Sequence, residues 1–290
     1  MSTVELPRMP LVGSLYRRAA LALVPGIGRS RRSADVPTNE LAVRDVPVDR
    51  DHLADYDRVC GFGLRDPLPA TYPHVMGFPL TLRLMTAPDF PMPLVGLVHV
   101  ANRITVHRPV DAGERLDFTA RAADLRPHPR GRQLDVVLTA SIGGAEVWRG
   151  VSTYLSKDSG SAGVERPGGG QRRPEAAERR TAGTTGAMWR VEPRVGTDYA
   201  RVSGDHNPIH TSRLGARLFG FAQPIAHGMW SKARCLAALE NRLPEAYTVD
   251  VAFKVPLPLP STVAFTATPS WTFGLHSARG GKPHLTGTIS

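Results

Sequence analysis

Between Ser203 and His210 the chain reads "SGDHNPIH", which brings two acid–base side chains, Asp205 and His210, close together with Asn207 and Pro208 between them. Three chemistries compete for such a stretch. As a turn, Asn207-Pro208 reverses the chain and Asp205 caps a helix, places that these residue types favour. As a metal site, Asp205, His206, His210 and His227 supply donors, but Pro208 opposes the regular helix on which His206 and His210 would share a face, and no further ligand recurs at a diagnostic spacing. As a catalytic loop, Asp205 and His210 form a carboxylate–imidazole pair able to take and return protons near neutral pH.

The elements that carry the loop come from an internal repeat. A chain of 290 residues suggests about two domains. The segment 156–186, rich in Gly, Ser, Pro and charge, lacks any apolar period and separates two halves of similar size. "DYDRVCG" (55–61) returns as "DYARVSG" (198–204), matching at five of seven positions. Further on, "VHRPVDAGERLDFTA" (106–120) aligns without a gap on "FKVPLPLPSTVAFTA" (253–267), so the echoes keep their order.

Within each half the periodicities predict one helix and several antiparallel strands. Val98, Val100, Ile104 and Val106 alternate, then Leu116, Phe118 and Ala120, then Leu134 to Ile142. "GGAE" (143–146) makes a hairpin turn before a last strand, and "ARGGKP" repeats the device before His284 to Ile289. That final strand is expected to be short beside its counterpart at Val147 to Leu155. In "GMWSKARCLAALENRLP", Met229, Ala233, Leu236, Ala237 and Leu243 approximate one helical face, ended by Pro244. The expected division is an N-terminal extension (1–35), a first unit (36–155), a linker (156–187) and a second unit (188–290).

Composition narrows the classes. The formal net charge is +10, but much of the excess lies in Arg17 to Arg32 and Gln171 to Arg180, and no aromatic-interleaved basic sheet or finger spacing points to a nucleic-acid reader. The charge equally suits an anionic coenzyme A thioester or an acidic carrier protein. Cys60 and Cys235 are expected to be buried thiols. With no apolar run near the ~20 residues of a membrane span, the expectation is a cytoplasmic protein without stable membrane insertion, its N-terminal segment frayed or packed.

"YARVSGDHNPIH" followed by "ARLFGFAQPIAHGM" (216–229) resembles the hydratase motif of the MaoC-like dehydratases, the (R)-specific enoyl-CoA hydratases. The duplicated layout further resembles the family's double-hotdog members, the (3R)-hydroxyacyl-thioester dehydratases. The resemblance implies an α+β fold of two tandem hotdog units, each a helix wrapped by an antiparallel sheet. It implies that Asp205 and His210 are the catalytic pair, that Asn207 holds the loop and the reacting water, and that Gly228 offers its N–H to the thioester carbonyl. His227 is a buried loop-fixing histidine or a substrate contact.

The implied reaction is reversible hydration of trans-2-enoyl thioesters, or dehydration of (3R)-3-hydroxyacyl thioesters, carried on coenzyme A or acyl carrier protein, with no metal or other cofactor. A homodimer is the candidate assembly. The first half keeps the "DYxRVxG" frame and matches Gly77 to Gly228, but has Phe62 and Pro67 where the second has Asp205 and His210, so one active site per chain is expected. His74, His99 and His107 are further candidates for a second site, but His99 and His107 fall within the strand pattern and are read as surface or interface histidines, with no paired base in view. A hotdog thioesterase and a noncatalytic acyl-thioester binding or assembly subunit are the rival classes.

Overall fold

The computed structural model describes residues 2–21, 35–94, 96–157 and 185–290. The first half runs β1 (Ser2–Glu5), α1 (Val12–Leu21), β2 (Asn39–Pro47), α2 (Arg50–Cys60), α3 (Tyr72–Met85), β3 (Val98–Val106), β4 (Arg115–His128), β5 (Gly131–Ile142) and β6 (Ala145–Lys157). The second runs β7 (Thr185–Val191), α4 (Val195–Ser203), α5 (Pro208–Thr211), α6 (Arg213–Leu218), α7 (Gly228–Ala237), a 3-10 turn at Glu240–Arg242, then β8 (Tyr247–Phe253), β9 (Ser261–Ala267), β10 (Thr272–Ser277) and β11 (Pro283–Ile289).

All the described strands join one sheet in the order β1-β2-β4-β5-β6-β3-β8-β11-β10-β9-β7. Leaving out β1, each half contributes the same pattern of strands, and the two sheets meet where β3 pairs antiparallel with β8. At that seam Arg103 lies opposite Asp250, with a 2.6 Å ion pair. Each sheet curls around one helix. α3 is apolar on nearly every side, as a helix sunk in a core must be, and packs on β4 and β5. In the second half α7 buries Met229, Ala233, Cys235 and Leu236, and it meets β10 and β11.

The repeated heptad marks the same local structure twice. "DYDRVCG" closes α2 and "DYARVSG" closes α4; both end on a left-handed glycine, Gly61 at φ 81° and Gly204 at φ 73°. Only glycine adopts that cap without strain. The paired tyrosines, Tyr56 and Tyr199, are buried with ring centroids 6.3 Å apart, joining the halves through the core.

Two sequence expectations need adjustment. The helix expected to reach Leu243 stops at Ala237, because its last turn tightens into 3-10 geometry and buries Leu239. The final strand is short, as expected: seven residues against thirteen in β6. Strict alternation in β3 fails at a register shift between His99 and Ala101, so His99 turns inward while Val98 is exposed. Both cysteines are buried as expected.

The N-terminal segment packs rather than frays where it is described. β1 adds in parallel to β2, and Leu15 of α1 buries against Phe78 and Leu82 of α3. Most of the expected linker, the basic stretch 171–180 and nearly half of the N-terminal extension lie outside the described residues. Among the described residues no helix is long and apolar enough to cross a membrane.

Candidate active site

The loop begins where Gly204 ends α4. Asp205 sits at the head of an Asx turn, its Oδ1 accepting the Asn207 N–H at 3.2 Å. Asn207, rather than Asp205, then caps the single-turn helix α5: its side-chain oxygen accepts from the Ile209 N–H at 3.3 Å, and Pro208 occupies the first helical position, where its missing N–H costs nothing. Pro208 therefore starts a turn of helix instead of breaking one, and it brings His210 back toward Asp205. Gly196 lets the start of α4 lie directly against the His210 carbonyl, a place that any Cβ would fill.

Both imidazoles are fixed by backbone carbonyls. His210 Nδ1 donates to Ile225 O at 2.7 Å, which places its proton on Nδ1 and leaves Nε2 bare in the neutral ring. His227 Nε2 donates to the Asp205 backbone carbonyl at 3.0 Å and lies 3.8 Å from the Asp205 carboxylate. The two rings stack with centroids 3.7 Å apart. His227 also ends the approach to α7, so Gly228 is the first helical residue and its N–H has no carbonyl within the helix to bond. A Cβ at Gly228 would lie 3.0 Å from Phe253, so a ligand approaching that N–H meets backbone.

Burial alone would raise the Asp205 carboxyl, but His227, His210, the Asn207 N–H and the Tyr16 hydroxyl outweigh it and hold the group below the usual carboxylate range. Burial pushes His210 down, and it pushes His227 down to about 3 with the adjacent His210 adding to the effect. Near neutral pH the centre thus holds one negative charge, on Asp205, beside two neutral imidazoles. Asp205 keeps 30% side-chain exposure while both histidines are buried, so the carboxylate is the member that faces solvent.

Asp205, His210 and His227 have donor atoms within 4.8 Å of one another, close enough to raise the question of a cation. The two imidazoles stack at an interplanar angle of 27°, and one nitrogen of each is committed to a backbone carbonyl.

Three further groups near Asp205 come from outside the second half, and sequence reasoning missed them. Tyr16 of α1 donates to Asp205 Oδ1 at 3.0 Å. His99 of β3 and Tyr154 of β6 stack at 4.8 Å, and both are near enough for the Asp205 charge to act on them. His74 is buried, and His99, expected at the surface or an interface, is largely enclosed with its Nε2 buried; burial pushes them down to about 4 and about 3. His107 alone of the three is half-exposed, bonded to Glu146. The bulge hid His99, because period-two reading places it on the face opposite Ile104. Among the described residues His99 Nε2, His227 Nδ1 and the Tyr199 hydroxyl are buried without a hydrogen-bond partner.

Comparison with known proteins agrees with this architecture. A family model described as "MaoC like domain" matches residues 177–270. The chain is 34% identical over 275 residues to 3-hydroxyacyl-thioester dehydratase X of Mycobacterium tuberculosis (strain ATCC 25618 / H37Rv), covering 94% of this chain and 95% of the relative. The crystal structure of HtdX from Mycobacterium tuberculosis superposes with a TM-score of 0.74 over 86% of this chain and 98% of that one. A MaoC-like dehydratase from Phytophthora capsici, 17% identical, shares the fold at a TM-score of 0.68 over 90% of this chain and 98% of its own.

Proposed function

The chain belongs to the family of MaoC-like 3-hydroxyacyl-thioester dehydratases, double-hotdog hydro-lyases, and from that premise we propose that it adds water to trans-2-enoyl thioesters and removes it from (3R)-3-hydroxyacyl thioesters through Asp205 and His210. The observation that carries this reading is the resting protonation of the pair. An ionised Asp205 and a His210 with a bare Nε2 are both bases, with ligand atoms within 4.8 Å of one another, and the Gly228 N–H at the head of α7 has no carbonyl within its helix to bond.

Hydration then needs no outside acid. A base takes a proton from water as the oxygen bonds to C3; the electron pair of the C2–C3 double bond moves toward C2 and the thioester oxygen; the proton is returned to C2. Dehydration is the reverse. Charge on the thioester oxygen is greatest in the transition state, where the Gly228 N–H at a helix start stabilises it. His227 and Asn207 act on the loop: the first holds the Asp205 backbone carbonyl and the second caps α5, so the carboxylate and His210 keep their mutual position.

We read residues 36–155 as a unit that has kept the scaffold and lost the pair, and residues 188–290 as the catalytic unit. The substrate's carrier is coenzyme A or acyl carrier protein. A thioesterase is disfavoured by the pair itself, since hydrolysis needs one activated water at the carbonyl and has no use for a second proton carrier at C2.

The test is conversion of a trans-2-enoyl-CoA to the (R)-3-hydroxyacyl product by the purified chain. Asp205→Asn and His210→Ala should each lose roughly 10²–10⁴-fold in kcat with unchanged melting, and a chelator should leave the rate as it is. Release of free coenzyme A without hydration would support the thioesterase instead. A loss reversed by added metal would overturn the metal-free mechanism.

A further inference from the structure

The N-terminal segment has no part in the sequence motif, yet it reaches the catalytic loop. α1 is seated on α3 by Leu15, Phe78 and Leu82, with Val12, Tyr16 and Leu94 packed around them. Val12 also lies over Gly204, since a Cβ there would meet its Cγ2 at 3.4 Å. So placed, α1 presents Tyr16 to the residue that follows. The Tyr16 hydroxyl donates to Asp205 Oδ1 at 3.0 Å, and its ring meets His206 edge-on with centroids 6.3 Å apart.

The two oxygens of Asp205 are thereby made unequal. Oδ1 accepts from both the Asn207 N–H and the Tyr16 hydroxyl. Oδ2 is the oxygen toward the imidazoles, 3.8 Å from His227 Nε2. A carboxylate free to rotate would offer either oxygen in either orientation; one pinned by two donors offers one, already aimed. Resting on the Asp205–His210 reading above, we propose that Tyr16 is a positioning residue of the active site: by engaging Oδ1 it commits Oδ2 to the substrate's water or 3-hydroxyl. The site is then completed by three parts of the chain, since the first half holds α1, α1 holds Tyr16, and Tyr16 holds the second half's carboxylate.

The groups facing Asp205 allow a clean readout. They are His210 of α5, His227 ahead of α7, Tyr199 of α4, Tyr154 of β6, His74 of α3 and His99 of β3, with His206 next in sequence. Burial keeps the tyrosines protonated and the buried imidazoles uncharged near neutrality. A donor to the ionised form favours that form, so removing the Tyr16 hydroxyl must make Asp205 harder to ionise, and the acid limb of the rate profile must move to higher pH. His210 titrates on the same limb in both proteins, and the difference between them isolates the effect of Tyr16.

The experiment measures kcat and KM for enoyl-CoA hydration between about pH 4 and 8 for the full chain, Tyr16→Phe, Leu15→Ala and Asp205→Asn. Tyr16→Phe keeps the ring and its packing; it should lose roughly tenfold in kcat, hold KM within about twofold, and shift the acid limb upward. Leu15→Ala, which loosens the seat of α1, should shift the limb in the same direction. A Tyr16→Phe profile that superposes on the parent, or a uniform loss with the limb unmoved, overturns the proposal. Asp205→Asn separates the two readings: if it is inactive while Tyr16→Phe is normal, Tyr16 alone is misread; if it retains the parent rate, the catalytic pair is.

Discussion

Two loops leave two nearly identical helices in this molecule. After Gly61 the chain continues Phe62-Gly63-Leu64-Arg65-Asp66-Pro67, and after Gly204 it continues Asp205-His206-Asn207-Pro208-Ile209-His210. The first loop is held by packing and surface ion pairs: Phe62 stacks on Tyr56 with centroids 6.3 Å apart, Arg65 pairs with Glu240, and Asp66 pairs with Arg50. The second is held by an Asx turn, a one-turn helix and two buried histidines bonded to carbonyls. The helix and its left-handed cap therefore ask nothing of the residues that follow. A half-buried carboxylate and two stacked imidazoles are a poor way to stabilise a loop when an aromatic ring serves the same frame, and their presence in one half points to chemistry.

The sharpest way to break this contrast is to exchange the effects. Removing either member of the Asp205–His210 pair should cost roughly 10²–10⁴-fold in kcat and little stability, whereas Phe62→Ala should leave kcat within about twofold and cost about 2 kcal/mol, less than a fully buried Phe because Phe62 is half-buried. Parallel rate assays and urea unfolding measure both. A first-loop variant that lowers kcat as much as Asp205→Asn would erase the distinction between the halves.

The two matched glycines give a smaller, finer test. A Cβ at Gly77 would press on Leu138 in the core of the first half, and one at Gly228 would press on Phe253 at the head of α7. Gly77→Ala should cost about 1–3 kcal/mol of stability with kcat unchanged. If the Gly228 N–H serves the thioester oxygen as proposed, Gly228→Ala should lower kcat roughly tenfold to a hundredfold by displacing it. Equal kinetic effects at the two positions would remove Gly228 from the oxyanion site.

The least effect is expected at the seam itself. Arg103 and Asp250 face each other where the halves meet, but their side chains are 62% and 40% exposed. Arg103→Ala should cost about 0.5 kcal/mol in urea unfolding, because the β3–β8 ladder and the core beneath it hold the halves together. A loss above about 2 kcal/mol would instead make the pair a determinant of how the halves join.

The fold was legible in the sequence because both of its signals are local. The alternation of β4 and β5 and the glycine hairpins specify strands, and the echoed heptad marks the same helix and cap twice. The nearness of Asp205 to His210 was legible for the same reason, since the whole loop lies within one short stretch. What escaped was non-local. Nothing around Tyr16 announces a partner at Asp205, and His99 was assigned to the wrong face because a bulge shifts the phase of β3 by one residue. Lys232 escaped too: its ammonium is fully buried, bonded to Asn102 Oδ1 at 2.6 Å and to the carbonyls of Asn102 and Val249 at 3.1 Å.

By itself, the sequence determined that the chain is a duplicated pair of sheet-wrapped helices with one equipped loop, because periodicity, caps and a compact motif are properties of neighbours along the chain. Only the tertiary structure decided the composition of the site: which imidazole nitrogen is bare, which carboxylate oxygen is pinned, and that the first half reaches Asp205 through Tyr16, His99 and Tyr154. Those are set by packing between segments far apart in sequence, where a distance of 3 Å leaves no trace in the spacing of residues.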